Sequence, residues 1–310
     1  MAARADELSS LDASGSQAPG NYVFTYLAEA DVFEANVTLP VAVNTNNENG
    51  TQINGVNPGH KLLHAQPLPA NQQYFSFASA YSEVSAQFDA VNQGYRTIAT
   101  AVITGLNILN VLTADKVVGQ MSTFYPIGDA VPTVNFIGTQ FLNLCINTEP
   151  LTLDQNLGIF GDGPANDGSY FDDTDVTSAI SAQTEAITDN PALPVSLQSQ
   201  FTANAANANV LECSLVSSVS GSTAQSFGNI IVVPGFGTIY LADVELTRTK
   251  SSTSPDGFKY LFGLEMMRIV LQGGPGTGTI IIGALDTNGT GNGSGPHPAP
   301  PARKPKGPAQ

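Results

Sequence analysis

Three consecutive stretches decide the fold: YFSFASAYSEVSAQFDAV (Tyr74–Val91), YRTIATAVITGL (Tyr95–Leu106) and ILNVLTADKVVGQMSTFY (Ile108–Tyr125). In each, apolar and small polar residues alternate at a period of two, which puts one set of side chains on one face of a strand. Their turn signals are Asn92–Gln93–Gly94 and Gly105–Leu106–Asn107. The three stretches therefore predict an antiparallel meander with one face on a core.

The same pattern extends outward in both directions. Upstream, YVFTYLAEADVFEANVTLPVAV (Tyr22–Val43) alternates with internal breaks and reads as two strands, followed by a polar, Gly- and Pro-containing loop over 44–72. Downstream, residues 150–175 are rich in Gly and Asp, and 176–209 carry Ala, Ser and Gln in place of β-branched residues. That shift predicts a helical insertion. Asp175 is placed to cap one helix running through Ile187, and Pro191 and Pro194 separate it from a second over Ser196–Ala206. Strand patterning resumes at NVLECSLVSSVS and continues through FGNIIVVPGFGTIYLADVELTRT, FKYLFGLEMMRIVLQ and GTIIIGALDT. The fold class is mainly β: an antiparallel β-sandwich or barrel-like single domain over 21–286, with a short helical insertion at about 150–209. Residues 1–20 read as a flexible segment and 287–310 as a disordered Gly- and Pro-rich basic tail.

Composition narrows the function. Only 12% of the 310 residues are charged, against roughly 25% in an ordinary soluble domain, so Asn, Ser, Thr and Gln supply the polar surface. Three of the 11 basic residues, Arg303, Lys304 and Lys306, lie in the last eight positions, leaving the body strongly acidic. Nucleic-acid binding by the body is thereby disfavoured, since it needs clustered Lys and Arg. The longest apolar run, TAVITGLNILNVLTA (Thr100–Ala114), is broken by Thr, Gly and Asn and falls short of the ~20 residues of a membrane span. The first twenty residues hold no apolar run of the length of a secretory leader's core. Either a leader was removed from a mature form, or the protein is released by another route, as a virion component is.

Cys145 in FLNLCIN and Cys213 in LECSLV both sit on strand-like segments. They either form a bridge closing a loop of about 69 residues, worth on the order of 4 kcal/mol, or are two buried free thiols. Sequons begin at Asn36, Asn49, Asn288 and Asn292, which fits secretion.

The succession ATAVITGLNILNVLTADKVVGQ (Ala99–Gln120), VNFIGTQFLNLCIN (Val134–Asn147), NIIVVPGFGTIYLADVEL (Asn229–Leu246) and FGLEMMRIVLQ with GTIIIGALD (Phe262–Gln272, Gly278–Asp286) resembles bacterial surface proteins of the choice-of-anchor type, over residues 95–148 and 227–286. The shared features are a "T-A-D" strand, a P-G-x-G strand and a closing G-x-x-I-I strand. The resemblance implies an extracellular β-rich domain held at a cell surface. A C-terminal apolar anchor and a sorting motif are expected in such a family and are not found in this sequence.

Motifs with chemical potential mostly fail on a deciding residue. MRIVLQGGPGTGTIIIG (Met267–Gly283) imitates a phosphate-binding loop, but Thr279 stands where a Lys must reach the phosphates, and Ile280–Ile282 favour a strand over a helix. His60 and His64 have the i, i+4 spacing of helical zinc ligands, yet HKLLH is bounded by Pro58, Pro67 and Pro69 and reads as a loop. No G-x-S-x-G elbow is present. The remaining feature is GDGPANDGSYFDDTD (Gly161–Asp175), where Asp162, Asp167, Asp172, Asp173 and Asp175 fall within fourteen residues. Ca²⁺ takes six to eight oxygens, so this loop is the candidate calcium site. The plainer alternative is a solvated acidic loop whose last Asp caps a helix.

The sequence thus points to a non-catalytic extracellular or cell-surface protein, structural or adhesive, without a certain cofactor. Its expected partners are copies of itself or a surface, met through strand edges. Tyr22–Val43 and Tyr74–Val91 hold no Lys or Arg to guard an edge, and residues 1–28 are a candidate donated strand. The alternatives are a virion coat or tail protein and a secreted hydrolase using paired carboxylates.

Overall fold

The computed structural model describes residues 23–39, 43–45, 50–67, 75–126, 131–164, 168–204, 208–251, 257–272, 277–288 and 291–292. The chain opens with β1 (Val23–Phe24), β2 (Tyr26–Leu39), β3 (Val43–Thr45), β4 (Gly50–Gly55) and β5 (Gly59–Ala65). The meander follows as β6 (Phe75–Ser76), β7 (Ser79–Asp89), β8 (Gly94–Ile108) and β9 (Leu112–Pro126). Short strands come next: β10 (Thr133–Asn135), β11 (Gln140–Leu142), β12 (Cys145–Ile146), β13 (Glu149–Pro150) and β14 (Thr152–Gln155). Two helices, α1 (Thr174–Thr188) and α2 (Val195–Asn204), precede β15 (Val210–Ser214), β16 (Val216–Ser220), β17 (Gln225–Phe227) and β18 (Ile230–Val233). The chain ends in β19 (Gly237–Lys250), β20 (Phe258–Leu271), β21 (Thr277–Asn288) and β22 (Gly291–Asn292).

These strands form a β-sandwich. One nine-stranded sheet runs β17-β18-β19-β20-β21-β2-β3, with β15 on β19 and β4 on β2. The other runs β13-β12-β9-β8-β7-β5, with β10 and β11 on β9 and β6 on β8. All pairings are antiparallel, and β2, β20 and β21 of the first sheet face β7, β8 and β9 of the second. Small side chains let the layers close tightly. At Gly119 of β9 an added Cβ would lie 2.7 Å from Met266 Cγ of the opposite sheet, so only hydrogen fits there. The sheets are also tied by a buried polar knot, in which the Thr97 and Thr123 hydroxyls meet at 2.5 Å and Thr123 donates to the Asn288 carbonyl at 3.0 Å. Asn288 Oδ1 accepts from Leu27 N at 2.7 Å, and its amide donates to Thr25 O at 2.8 Å. The sequon at Asn288 is therefore consumed inside the core.

Four of the long strands share a crease. In β2 the inward residues are Ala28, Ala30 and Val32, then Phe33, Ala35 and Val37, a change of phase at adjacent positions. The same doubling occurs at Leu241–Ala242, Met266–Met267 and Ile282–Gly283. The register aligns Val32, Gly283, Met266 and Ala242 in one transverse line where each ladder skips a pair. Ala242 and Gly283 there adopt left-handed backbone, with φ of 50° and 64°. Such bulge-like insertions coil a strand without ending it. This overturns the two-strand reading of Tyr22–Val43, because a break in alternation is also what a crease produces. Gly105, with φ of 61°, plays the same part inside β8. The turn expected at Gly105–Asn107 instead falls at Leu109–Val111, where Asn107 Oδ1 accepts from Asn110 N.

Two further expectations change. Part of the polar segment 44–72 forms β4 and β5, and the stretches expected as unguarded edges are interior: β2 lies between β21 and β3/β4, and β7 between β8 and β5. Of the proposed donor segment 1–28, residues 1–22 lie outside the described residues, while Phe24, Tyr26 and Ala28 are buried in their own domain. The helical insertion is present. α1 is capped by Asp173, whose Oδ1 accepts from Asp175 N at 2.9 Å and Val176 N at 3.1 Å, two residues earlier than the expected Asp175. Gln183 staples α1 to β15 by donating to Ser214 O and accepting from Ser214 N. A second small core of Ile187, Leu193, Leu197, Phe227, Ile230 and Tyr240 seats both helices on one end of the first sheet's outer face. No helix among the described residues is long and apolar enough to cross a membrane.

Candidate functional site

Among the described residues, those singled out by sequence form no common site. Asp167 lies outside the described residues. Of the others in the acidic loop, Asp173 serves as the α1 cap and Asp172 stands 4.0 Å from Arg248, whose guanidinium also covers the rings of Phe171 and Phe258. Among the described residues no group of three or more His, Cys, Asp or Glu is arranged to hold a metal ion. HKLLH forms β5 and not a loop, so His60 and His64 are separated along a strand: His60 Nε2 lies 2.7 Å from Glu83, and His64 packs near Tyr81. Thr279–Ile282 is strand, paired with β2 and β20.

Cys145 and Cys213 stand as free, partly buried thiols. Alternation correctly placed each on a strand, but Cys145 pairs with Thr113 in the second sheet and Cys213 with Val244 in the first. Burial, then Asp243 and Glu212, push the Cys213 thiol well above its ordinary range, so it is a poor nucleophile.

What the fold does assemble is an acidic face that sequence proximity hides. Rows of cross-strand neighbours run over the outside of the first sheet. One row reads Gln52, Glu29, Asp286, Gly263, Glu245 and Glu212 from β4 to β15. The next reads Gly50, Asp31, Ala284, Glu265 and Asp243, and a third, beyond the crease, brings Glu34 beside Ile281, Arg268 and Tyr240. Arg268 is the cation within these rows. Its Nη2 donates to Asp243 at 3.0 Å, its Nε to Glu265 at 3.2 Å, and its guanidinium lies 4.0 Å over the Tyr240 ring. Burial pulls Arg268 down, but Asp243 and Glu265 outweigh it and hold it above its usual value.

The carboxylates remote from Arg268 respond the other way. Burial and then Asp286 raise Glu29, although Gln52 donates to it at 3.2 Å. Burial and then Glu265 raise Glu34. Asp31 is pushed up to about 7 by burial, Glu29, Glu34 and Asp286. The face can thus hold a proton near neutrality. Sequence reasoning missed it because Glu29, Asp31 and Glu34 look like surface residues of an edge strand; the outward period in β2 was legible, whereas the partners from β20 and β21 were not. Between the sheets, the hollow lined by Val32, Ala101, Ile103, Val117, Ile282 and Gly283 has no room for a water molecule.

No curated protein and no solved structure matches the chain. A family model described as a domain of unknown function (DUF8256) matches residues 24–247, a span that stops within β19, although β20 and β21 complete the first sheet between β19 and β2. The match covers most of the chain, which therefore belongs to the DUF8256 family.

Proposed function

We propose that this chain is a non-catalytic structural or adhesive module that works outside the cytoplasm by assembling, with itself or with a surface, through the rim of its second sheet. The observation that carries this reading is β5. It is a seven-residue strand at the end of that sheet, bonded to β7 on one side, with His60, Lys61, Leu62 and His64 exposed and Leu62 49% accessible. Of the other strands with a single partner in the two large sheets, β4 has six residues, β15 five, and β3, β6, β10, β11, β13 and β17 two or three, so β5 offers the longest ladder to a partner. An edge of this length is where strand addition occurs in soluble β proteins, and a single cation, Lys61, guards it. A surface built from Asn, Ser, Thr and Gln and the resemblance to cell-surface β domains support the location.

The test is the particle state of the full chain at high micromolar concentration, by size-exclusion chromatography and negative-stain imaging. Wild type is expected to form oligomers or fibres, and Leu62→Lys, which adds a charge to the rim, to shift them toward monomer. A wild-type protein that stays monomeric and binds no surface would overturn the reading.

A further inference from the structure

Asp31 occupies an unusual position on the acidic face. Its register partners are Ala284 of β21 and Gly50 of β4. A Cβ built on Gly50 would collide with the Asp31 carboxyl, so that carboxyl lies over the β4 backbone in space a side chain would otherwise fill. The like charges acting on it are Glu29 and Glu34 from β2 and Asp286 from β21, while the register places Glu265 and Arg268 two strands across on β20 and Asp243 and Glu245 three strands across on β19. The residues of β4 itself, GTQING, contribute none. Arg268 is bound to Asp243 and Glu265, and Lys259 sits further along β20, beyond these rows. Like charges placed opposite each other on a sheet destabilise it, and here the geometry concentrates them around one half-buried carboxyl.

We propose that this face is a proton-operated brace: with Asp31 neutral the β4–β2–β21 junction is tight, and ionisation of Asp31 against Glu29, Glu34 and Asp286 loosens it. The elevated ionisation range of Asp31, about 7, agrees with that geometry. The sign follows from linkage. In the unfolded chain Asp loses its proton at about 3.9, so between that value and 7 the folded protein binds more protons than the unfolded one, and stability falls as pH rises through the window. A salt-bridged Asp does the opposite. The device is independent of the assembly reading above, since it concerns the stability of one domain.

The experiment is a melting series on the full chain at pH 5, 6, 7 and 8, with Asp31→Asn and, as a control, Asp162→Asn. Wild type is expected to melt roughly 3 °C higher at pH 5 than at pH 8. Asp31→Asn should match or exceed wild type at pH 8 and lose most of the slope, while the control keeps it. A ¹³C titration of the wild-type side-chain carboxyls should find one with a midpoint near neutrality that is missing from the variant. A flat or falling wild-type series from pH 8 to pH 5, an Asp31→Asn protein with the wild-type slope, or all carboxyl midpoints in the usual range would overturn the proposal. If Asp31→Asn does not fold, the wild-type titration and melting series decide.

Discussion

Asp31, on the outer face of the first sheet, and Asp89, in the turn that closes β7 against β8 in the second, carry the same carboxyl in opposite surroundings. Asp89 is met by donors: the side-chain amide of Asn92 at 2.8 Å, the backbone N–H groups of Asn92 and Val91 at 3.1 Å, and Arg96 at 3.3 Å. Together they hold it down at about 2. Asp31 is met by burial and other carboxylates and rises to about 7. The contrast separates two uses of acidity in one sandwich. In the turn the negative charge fixes a hairpin by local hydrogen bonding, whereas on the face it is a cost set by strands remote in sequence.

The comparison is most strongly tested by removing the cation from each side. Arg268→Met leaves Asp243 and Glu265 without their shared partner on a side chain only 14% exposed, and is expected to cost about 3 kcal/mol in urea unfolding at pH 7, with part of the loss recovered at pH 5. Arg96→Met, at a more exposed ion pair, is expected to change stability within the error of the same measurement. Equal losses would mean that the acidic face is no more demanding than the turn.

The next effect lies in the pH profile below the range already described. Asp89 and Glu149 are both held below their usual values, Glu149 by the backbone and side chain of Thr223 and by Ser222. Groups lowered on folding stabilise above their unfolded values and lose that contribution as pH falls through the folded ones. Wild-type melting temperature should therefore pass through a maximum near pH 4 to 5 and decline toward pH 2. Asp89→Asn is expected to reduce the acid-side decline without altering the slope between pH 5 and 8.

Smaller effects come from single contacts. Asp173→Ala removes the two hydrogen bonds that cap α1 and should cost about 1 kcal/mol. Glu34→Gln relieves one repulsion with Glu265 and is expected to gain a few tenths of a kcal/mol at pH 8, after solvent screening, with no gain at pH 4. A loss at pH 8 would show that Glu34 has a favourable role on the face.

Much of this was legible in the chain. Period-two alternation found β7, β8 and β9 with ends up to five residues out, and the shift toward Ala, Ser and Gln located α1 and α2. The Asn92–Gly94 turn was visible because its chemistry is local, as was a capping Asp at the start of α1, misplaced by two positions. Where reading by residue faltered, the cause was also specific. The doubled inward positions at Val32–Phe33 and the skipped pair at the exposed Gly105 imitate strand ends, and β5 looked like a loop because an exposed edge strand has little apolar pattern to display.

What the sequence by itself determined is therefore which residues face inward and which turns close locally, because strand periodicity and turn hydrogen bonding act over a few neighbouring positions. What only the tertiary structure decided is who stands beside whom. Cys145 and Cys213 fell into different sheets, and Asp31 came to share a face with Glu265 and Asp286, more than two hundred residues away. Alternation fixes a side chain's face but carries no information about the neighbouring strand or its register, and charge repulsion on a sheet depends on both.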